Sequence, residues 1–179
     1  EGAPFILGLS YEKAEPVSLP AEDTESILLS VGDPESPLFE SLLLQAAALP
    51  GADVFLCSEN RACPGPCRAV RSAGELDEAA LSLAQELRGR QERKKKDPSA
   101  SFPPVVVMID GLRNWLDSVK PDTISRLEVF IRLGKGLGIT IIAADTAENI
   151  AHCYYSNDIL TATMREGAVV LCGGVPGDH

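Results

Sequence analysis

Short apolar runs alternate along the chain with longer stretches in which apolar residues recur at helical spacing. The runs predict buried strands at 27–31, 53–57, 105–109, 139–144 and 168–172. The helical spacing predicts helices at 37–49, from 72 into the basic run 88–96, at 112–116, from 121 to about 133, and at 158–165. Because strands and helices alternate, we expect an α/β fold with a mostly parallel central sheet flanked by helices.

The remaining segments carry weaker patterns. Residues 1–20 have prolines towards both ends and a short apolar run at 5–8, which predicts an edge hairpin or lead-in. The strand 105–109 is the most apolar, and we expect it near the middle of the sheet. The segments least constrained by the core are 58–71, 89–102 and 147–157, and we expect irregular or surface connections there.

Length and composition fit one sizeable domain covering residues 1–179. The chain is 45% hydrophobic, so that a packed core is within reach. Its formal net charge of −10 argues against nucleic acid as the main partner. No stretch has the length and apolarity of a membrane span, and we expect no signal peptide. The first residue is Glu1 rather than Met, and we expect a domain excised from a larger protein.

Five cysteines are an odd number, which indicates a reducing cytoplasm rather than a disulfide framework. Cys57, Cys63 and Cys67 raise the hypothesis of a zinc or redox module. Their spacing is loose and no fourth ligand is evident, whereas structural zinc takes four tetrahedral ligands. We favour the interpretation in which Cys57 ends a buried strand and the other two lie in a loop.

The turn after the first core strand has the position of a phosphate-binding loop but not its residues. A P-loop reads G-x-x-x-x-G-K-[ST]. The chain has instead Gly32, Asp33, Pro34, Glu35, Ser36, Pro37, Leu38 and Phe39. Pro37 replaces the second glycine, Leu38 the phosphate-binding lysine, and Phe39 the magnesium-binding hydroxyl. Leu38 and Phe39 begin an apolar helix, and we expect at least one of them to pack into the core or into the vacated pocket.

These replacements oppose phosphate binding for physical reasons. A P-loop directs backbone N–H groups at anionic oxygens, and proline has no N–H. Asp33 and Glu35 add negative charge where the phosphate would lie. Ser36 suits the N-cap of the following helix and Pro37 its first position. Taken alone, the segment is better described as a strand-turn-helix corner that was never a P-loop.

The strand 105–109 favours the interpretation of this segment as a degenerate P-loop. It leads into Asp110 and Gly111. An apolar strand that ends in Asp has the form of a Walker B strand, and Gly111 stands where an ATPase usually places its catalytic Glu. The two segments together indicate an ATPase core that has lost its chemistry.

Taken in order, these elements resemble the FtsK/SpoIIIE family of RecA-like ATPases, and within it the membrane-anchored motors of type VII secretion in Gram-positive bacteria. The resemblance spans nearly the whole chain, and its carriers are the segments 6–9, 16–18, 27–39, 104–110, 133–139 and 170–179. Active members show a basic residue, a Gly-Ile pair, a strand and a Thr-Gln sensor in succession. Here Lys135 lies near the basic position and Gly138-Ile139 match the pair. Asp145-Thr146 replaces the sensor.

The resemblance implies a RecA-like P-loop NTPase fold with a degenerate nucleotide site. That site comprises residues 32–39, Asp110, Gly111 and Asp145. The chain lacks five features of the active members at once. These are the loop lysine, the loop hydroxyl, the second loop glycine, the catalytic Glu and the Thr-Gln sensor. Phosphoryl transfer depends on positioned cations and a positioned water, so we expect no hydrolysis and no catalytic residue. Asp110 becomes a vestige that caps or hydrogen-bonds locally.

The resemblance also implies a role and partners. We expect no cofactor or metal in this domain, with ATP and magnesium held by upstream domains of the parent. The implied function is a non-catalytic domain that contributes to substrate recognition and to regulation of export. The implied partners are secreted helical-hairpin proteins and the neighbouring ATPase domains, with hexameric assembly of the parent, on the cytoplasmic side of the bacterial membrane. The alternative is a weak ATPase or nucleotide-binding sensor of the same motor.

The basic run 88–96 allows two interpretations. It is suited to acidic lipid or to an acidic partner. We favour a solvated helix C-terminus, where cations complement the helix dipole.

Overall fold

The computed structural model describes residues 5–9, 16–19, 26–31, 37–154, 159, 163 and 167–172. Within them, strands and helices follow one another as β1 Phe5–Leu9, β2 Pro16–Leu19, β3 Ile27–Val31, α1 Pro37–Ala48, β4 Asp53–Cys57, β5 Arg68–Val70, α2 Ala73–Lys96, β6 Val105–Asp110, α3 Leu112–Ser118, α4 Pro121–Leu133, β7 Ile139–Thr146, α5 Ala147–Tyr154 and β8 Ala168–Cys172. The predicted alternation of strands and helices is confirmed.

Six strands form a parallel sheet in the order β5-β4-β6-β7-β3-β8. β1 and β2 pair antiparallel as a separate hairpin. β6 lies third in the sheet, near its middle, as its apolar sequence predicted. β7 lies between β3 and β6, so the carboxyl ends of these three strands meet at one edge of the sheet. In an open parallel α/β sheet this edge is where ligands bind.

Both faces of the sheet are covered, which explains why the strands are almost entirely apolar. Along β6, Val105, Val107 and Ile109 belong to one hydrophobic cluster, and Val106 and Met108 belong to the other. The first cluster packs against α2, α3 and α4, and the second packs against α1. This alternation follows from the two-residue period of a strand.

Two predicted loops contain regular structure. Residues 68–70 form β5, which pairs with β4 at the edge of the sheet. Three residues are too few to show a strand period in the sequence. Residues 147–154 form α5, where Cys153 is buried and Ile150 packs against the core. The predictions of irregular structure at 58–71 and 147–157 were wrong for these parts.

The long helix α2 begins as its sequence predicts. Ser72 is its N-cap, and its Oγ accepts a hydrogen bond from the backbone N–H of Glu75 over 3.3 Å. The predicted helix at 158–165 lies outside the described residues except for Ile159 and Thr163. No helix in the described segments is both long and apolar enough to cross a membrane.

Candidate functional site

The carboxyl edge of β3, β6 and β7 brings together the described part of the predicted site. Phe39 lies in the first turn of α1, Asp110 ends β6, and Asp145 lies next to the end of β7. Pro37, Leu38 and Gly111 are also described. The other predicted site residues, Gly32, Asp33, Pro34, Glu35 and Ser36, lie outside the described residues.

Phe39 takes up space at this edge. Its side chain is 1% exposed and belongs to the same cluster as Leu42 and Leu43 one turn further along α1. Leu38 is half-buried and packs against that cluster. The prediction that at least one of these two residues packs into the core is confirmed.

Arg61 connects Phe39 to the carboxylate of Asp110. Its guanidinium carbon lies 5.1 Å from the centre of the Phe39 ring, in cation–π range. Its Nε donates to Asp110 Oδ2 over 3.0 Å, and its Nη1 donates to Glu40 Oε2 over 3.1 Å. Burial opposes the charged form of Arg61. The hydrogen bonds and charges of Asp110 and Glu40 outweigh that burial and raise the pKa of the guanidinium.

Ser58 holds Arg61 in this position. The Oγ of Ser58 donates to Asp110 Oδ2 over 3.1 Å and accepts from the backbone N–H of Arg61 over 3.2 Å. The backbone oxygen of Ser58 accepts from Arg71 Nη1 over 2.5 Å. The carboxylate of Asp110 is therefore bound by a hydroxyl and a fixed cation of the same chain. Asp110 hydrogen-bonds locally, as the sequence predicted.

Sequence reasoning missed Arg61 and Ser58. Both lie in the connection after β4, which has no periodicity and no motif. The strand order supplies the missing information, because β4 pairs with β6 and the residues that follow two paired parallel strands meet at one edge. An arginine just after one strand and an aspartate ending the next then become candidate partners.

Both carboxylate oxygens of Asp145 also accept hydrogen bonds, and the residue is only 7% exposed. Its Oδ2 accepts from the backbone N–H of Arg113 over 2.8 Å, and its Oδ1 accepts from the backbone N–H of Thr146 and from Asn149 Nδ2, both over 2.7 Å. One carboxylate thus satisfies orphan donors at the starts of α3 and α5. It is a structural anchor between β7 and these two helices.

Gly111 has a backbone conformation that suits glycine. Its φ is 77°, in the left-handed region, and its N–H donates to the backbone oxygen of Ala144 over 3.0 Å. A glutamate with this φ would be strained, since side chains other than glycine disfavour that region. The backbone oxygen of Asp110 accepts from Trp115 Nε1 over 3.0 Å, which further fixes this turn.

The space left between these residues is small. A cavity of about 40 Å³ is bordered by Phe39, Asp110, Gly111 and Asp145. Ligand sites usually measure about 300–1,000 Å³. A more open polar pocket of about 520 Å³ is bordered by Arg61, Asp110, Gly111 and Trp115 among others. Among the described residues, Phe39 and Asp145 leave little space between α1, β6 and β7.

The cysteines form no metal centre within the described residues, where no group of three or more Cys, His, Asp and Glu side chains is placed to hold a metal ion. The Sγ of Cys63 donates to the backbone oxygen of Cys67 over 3.1 Å. Cys57 is buried at the end of β4, and this burial raises the pKa of its thiol to about 12. A thiol in this position is kept protonated and unreactive.

Comparison with known proteins supports the fold. No protein-family model and no curated protein matches this chain in sequence. Among solved structures, the cytoplasmic domain of the type VII secretion ATPase EccC from Thermomonospora curvata superposes with a TM-score of 0.78 at 11% identity, over 99% of this chain and 22% of that one. EccC ATPases 2 and 3 from the same organism, in complex with a signal sequence peptide, give a TM-score of 0.72 at 14% identity, over 97% of this chain and 36% of that one.

The fold is therefore that of a P-loop ATPase domain of the kind found in type VII secretion motors. A further solved structure with this fold is EssC (ATPases 2 and 3) from Geobacillus thermodenitrificans, with a TM-score of 0.75 at 15% identity over 96% of this chain and 34% of that one. EssC is also the motor whose C-terminal ATPase domain the sequence resembles. The chain spans about a third or less of the length of these three proteins.

Proposed function

We propose that this chain is a non-catalytic FtsK/SpoIIIE-type domain of a type VII secretion motor similar to EssC. One observation carries the proposal: the Arg61 guanidinium binds Asp110 and covers the ring of Phe39. The chain thereby supplies its own cation to the carboxylate that would serve magnesium in an active ATPase.

Two further contacts support the loss of hydrolysis. Asp145 binds backbone N–H groups with both oxygens and has no role left as a sensor of nucleotide. Gly111 occupies the position of the catalytic Glu in a conformation that strains any such replacement. Phosphoryl transfer requires positioned cations and a positioned water, and these residues supply neither.

Nucleotide titration tests this part of the proposal. We expect no heat of binding when magnesium-ATP is titrated into the 179-residue chain, and no phosphate release. The triple variant Pro37→Gly, Leu38→Lys, Phe39→Thr should remain inactive, because Arg61 still binds Asp110. Affinity in the low micromolar range for the wild-type chain would instead support a nucleotide sensor, and hydrolysis would support a weak ATPase.

We further propose that the domain takes part in recognising exported proteins and in regulating the active domains of its parent. The EccC structure in complex with a signal sequence peptide supports the first role, and the paired ATPases 2 and 3 of EssC support the second. The expected partners are secreted helical-hairpin proteins and the neighbouring ATPase domains, in a parent with upstream ATP and magnesium sites that assembles as a hexamer. The domain would work on the cytoplasmic side of the bacterial membrane.

Deletion of this domain from the parent protein tests the recognition role. We expect export of cargo to fail or to change selectivity while ATP hydrolysis by the upstream domains persists. Unchanged export and unchanged cargo choice would contradict the proposal.

A further inference from the structure

The connection between β4 and β5 contains two cysteines, Cys63 and Cys67, that the proposed function does not use. Of the cysteines whose side chains the structure describes, Cys57 and Cys153 are buried, whereas these two are half-buried. Thiols buried in a core are inert, and reactive thiols are those that solvent reaches in part. Cys63 and Cys67 are therefore the described cysteines that a small molecule can reach.

A tight turn brings these two cysteines together. The backbone N–H of Cys67 donates to the backbone oxygen of Pro64 over 3.2 Å. Gly65 has a φ of 52°, in the left-handed region that favours glycine. Prolines at 64 and 66 restrict φ at two of the three residues between the cysteines. The turn is thus formed before any bond joins the side chains, and a bond between them would cost little further conformational freedom.

The side chains of Cys63 and Cys67 interact within this turn. Cys63 Sγ donates to the backbone oxygen of Cys67 over 3.1 Å, and both cysteines are free thiols. Burial, and after it the charge and the hydrogen bond of Cys63, raise the pKa of the Cys67 thiol, so the two side chains are close neighbours. Both also pack against the hydrophobic cluster that contains Phe39. The fold therefore holds two accessible thiols side by side.

We propose that Cys63 and Cys67 are a redox-active pair, which a small-molecule disulfide such as glutathione disulfide oxidises reversibly to an intramolecular disulfide. One protein thiolate attacks a sulfur of the small disulfide, so that a mixed disulfide forms and the first small thiol leaves. The other protein thiolate attacks the protein sulfur of the mixed disulfide, and the second small thiol leaves. The protein pair gives up two electrons and two protons, and the small disulfide takes up both as two thiols.

The short turn makes the pair easy both to close and to open. The second attack takes place within a preformed turn, so it competes well with a small thiol in solution. A disulfide across three residues closes a short loop, which adds little stability and leaves the bond open to reduction. This chemistry needs neither nucleotide nor a secreted protein, so it can fail or succeed independently of the proposed function.

Mass spectrometry of the 179-residue chain, equilibrated with reduced glutathione and glutathione disulfide and then alkylated, tests the proposal. Trypsin cuts after Arg61 and Arg68, so one peptide, 62–68, contains both cysteines. We expect this peptide to carry no alkyl group and to weigh about 2 Da less than the dithiol, and dithiothreitol to reverse the change. The closed form should exceed the glutathione adducts by about tenfold or more, because closure is intramolecular.

Two cysteine variants separate the pair from the other thiols. Cys63→Ser should retain the glutathione adduct at Cys67, because no second thiol is left in the turn to displace it. Cys153→Ala removes a thiol that is 1% exposed, and its peptide 62–68 should close as the wild type does. A wild-type peptide that stays reduced, retains glutathione without closing or pairs with a cysteine elsewhere would overturn the proposal.

The variant Gly65→Val tests the turn while both thiols are kept. A β-branched residue is strained at the φ of Gly65, so the reduced turn should relax away from the conformation that holds the thiols together. We expect the ratio of closed form to glutathione adduct to fall by about fivefold or more. An unchanged ratio would overturn the part of the proposal that assigns closure to the preformed turn.

Discussion

Asp110 and Asp145 end or nearly end two neighbouring parallel strands, yet the chain satisfies their charges in different ways. Asp110 is bound by side chains that come from a separate connection, Ser58 and Arg61. Asp145 is bound by the backbone N–H groups of Arg113 in α3 and of its neighbour Thr146, and by the side chain of Asn149 in α5. One carboxylate has acquired a cation from the same chain, and the other has become part of the local architecture.

Under the function that we propose, these two arrangements are two routes by which a nucleotide site is lost. At Asp110 the guanidinium of Arg61, which lies over the Phe39 ring, would replace the external cation. At Asp145 a carboxylate would replace the neutral sensor while it binds donors beside two helices. The first arrangement depends on a salt bridge between partly exposed groups, and the second on short hydrogen bonds to a buried group. The two halves of the site should therefore respond differently to mutation and to salt.

The largest effect is expected on the Asp110 side, from Phe39→Ala. The ring is 1% exposed, so truncation should create a cavity and remove the surface that Arg61 covers. We expect the free energy of unfolding to fall by about 3–5 kcal/mol. Urea denaturation followed by circular dichroism measures this change.

Leu44→Ala on the same helix is the matched control. Leu44 is 52% exposed, and its truncation should cost less than about 1 kcal/mol. If Phe39→Ala and Leu44→Ala had equal effects, Phe39 would not fill the site and the contrast between the two aspartates would lose its structural basis.

The apolar strands of the sheet and the burial of Phe39 could be predicted from the sequence alone. The runs that became β3, β6 and β7 are buried on both faces, so their composition alone identified them as strands of a parallel sheet. Phe39 was predicted to be structural because it opens an apolar helix. Both inferences depend only on local pattern, and local pattern is what a single sequence displays directly.

The partners of Asp110 and Asp145 could not be predicted from local sequence pattern, for a physical reason. Arg61 and Asp110 are forty-nine residues apart, and Asp145 and Arg113 are thirty-two apart. Such contacts depend on which strands are adjacent and on the register between them. Neither is encoded in a local period. β5 was missed for a related reason, since three residues at a sheet edge are defined by their pairing with β4 rather than by their own sequence.

A smaller effect is expected on the other side of the comparison, from Asp145→Ala. This variant leaves the N–H groups of Arg113 and Thr146 without their acceptor in a buried place. We expect a loss of about 2–3 kcal/mol, because unsatisfied buried donors cost the full penalty of desolvation. Urea denaturation measures the loss, and hydrogen exchange should show faster opening of α3 and α5.

Asp117→Ala is the control for Asp145→Ala, because Asp117 is an exposed aspartate on α3 whose pairing with Arg113 is long, at 3.7 Å. Its removal should change stability by less than about 0.5 kcal/mol. Equal effects of the two substitutions would show that Asp145 is no anchor.

The smallest effect, and the sharpest test of the comparison, concerns the pair formed by Arg61 and Asp110. The two side chains are 20% and 24% exposed, so solvent screens their attraction in part. We expect a double-mutant cycle with Arg61→Met and Asp110→Asn to give a coupling energy of about 1 kcal/mol. High salt should reduce this coupling, because it screens charges that water reaches.

The effect of Asp145→Ala should be nearly independent of salt, since its hydrogen bonds lie in a buried region that ions do not reach. The free energy of unfolding should therefore be measured at low and high sodium chloride for Asp145→Ala and for the Arg61–Asp110 cycle. Only the coupling between Arg61 and Asp110 should depend on salt. A salt-independent coupling between Arg61 and Asp110 would mean that the guanidinium is held mainly by Phe39 and by shape. The cation would then be a packing group rather than a replacement for magnesium, and the distinction between an acquired cation and a local anchor would fail.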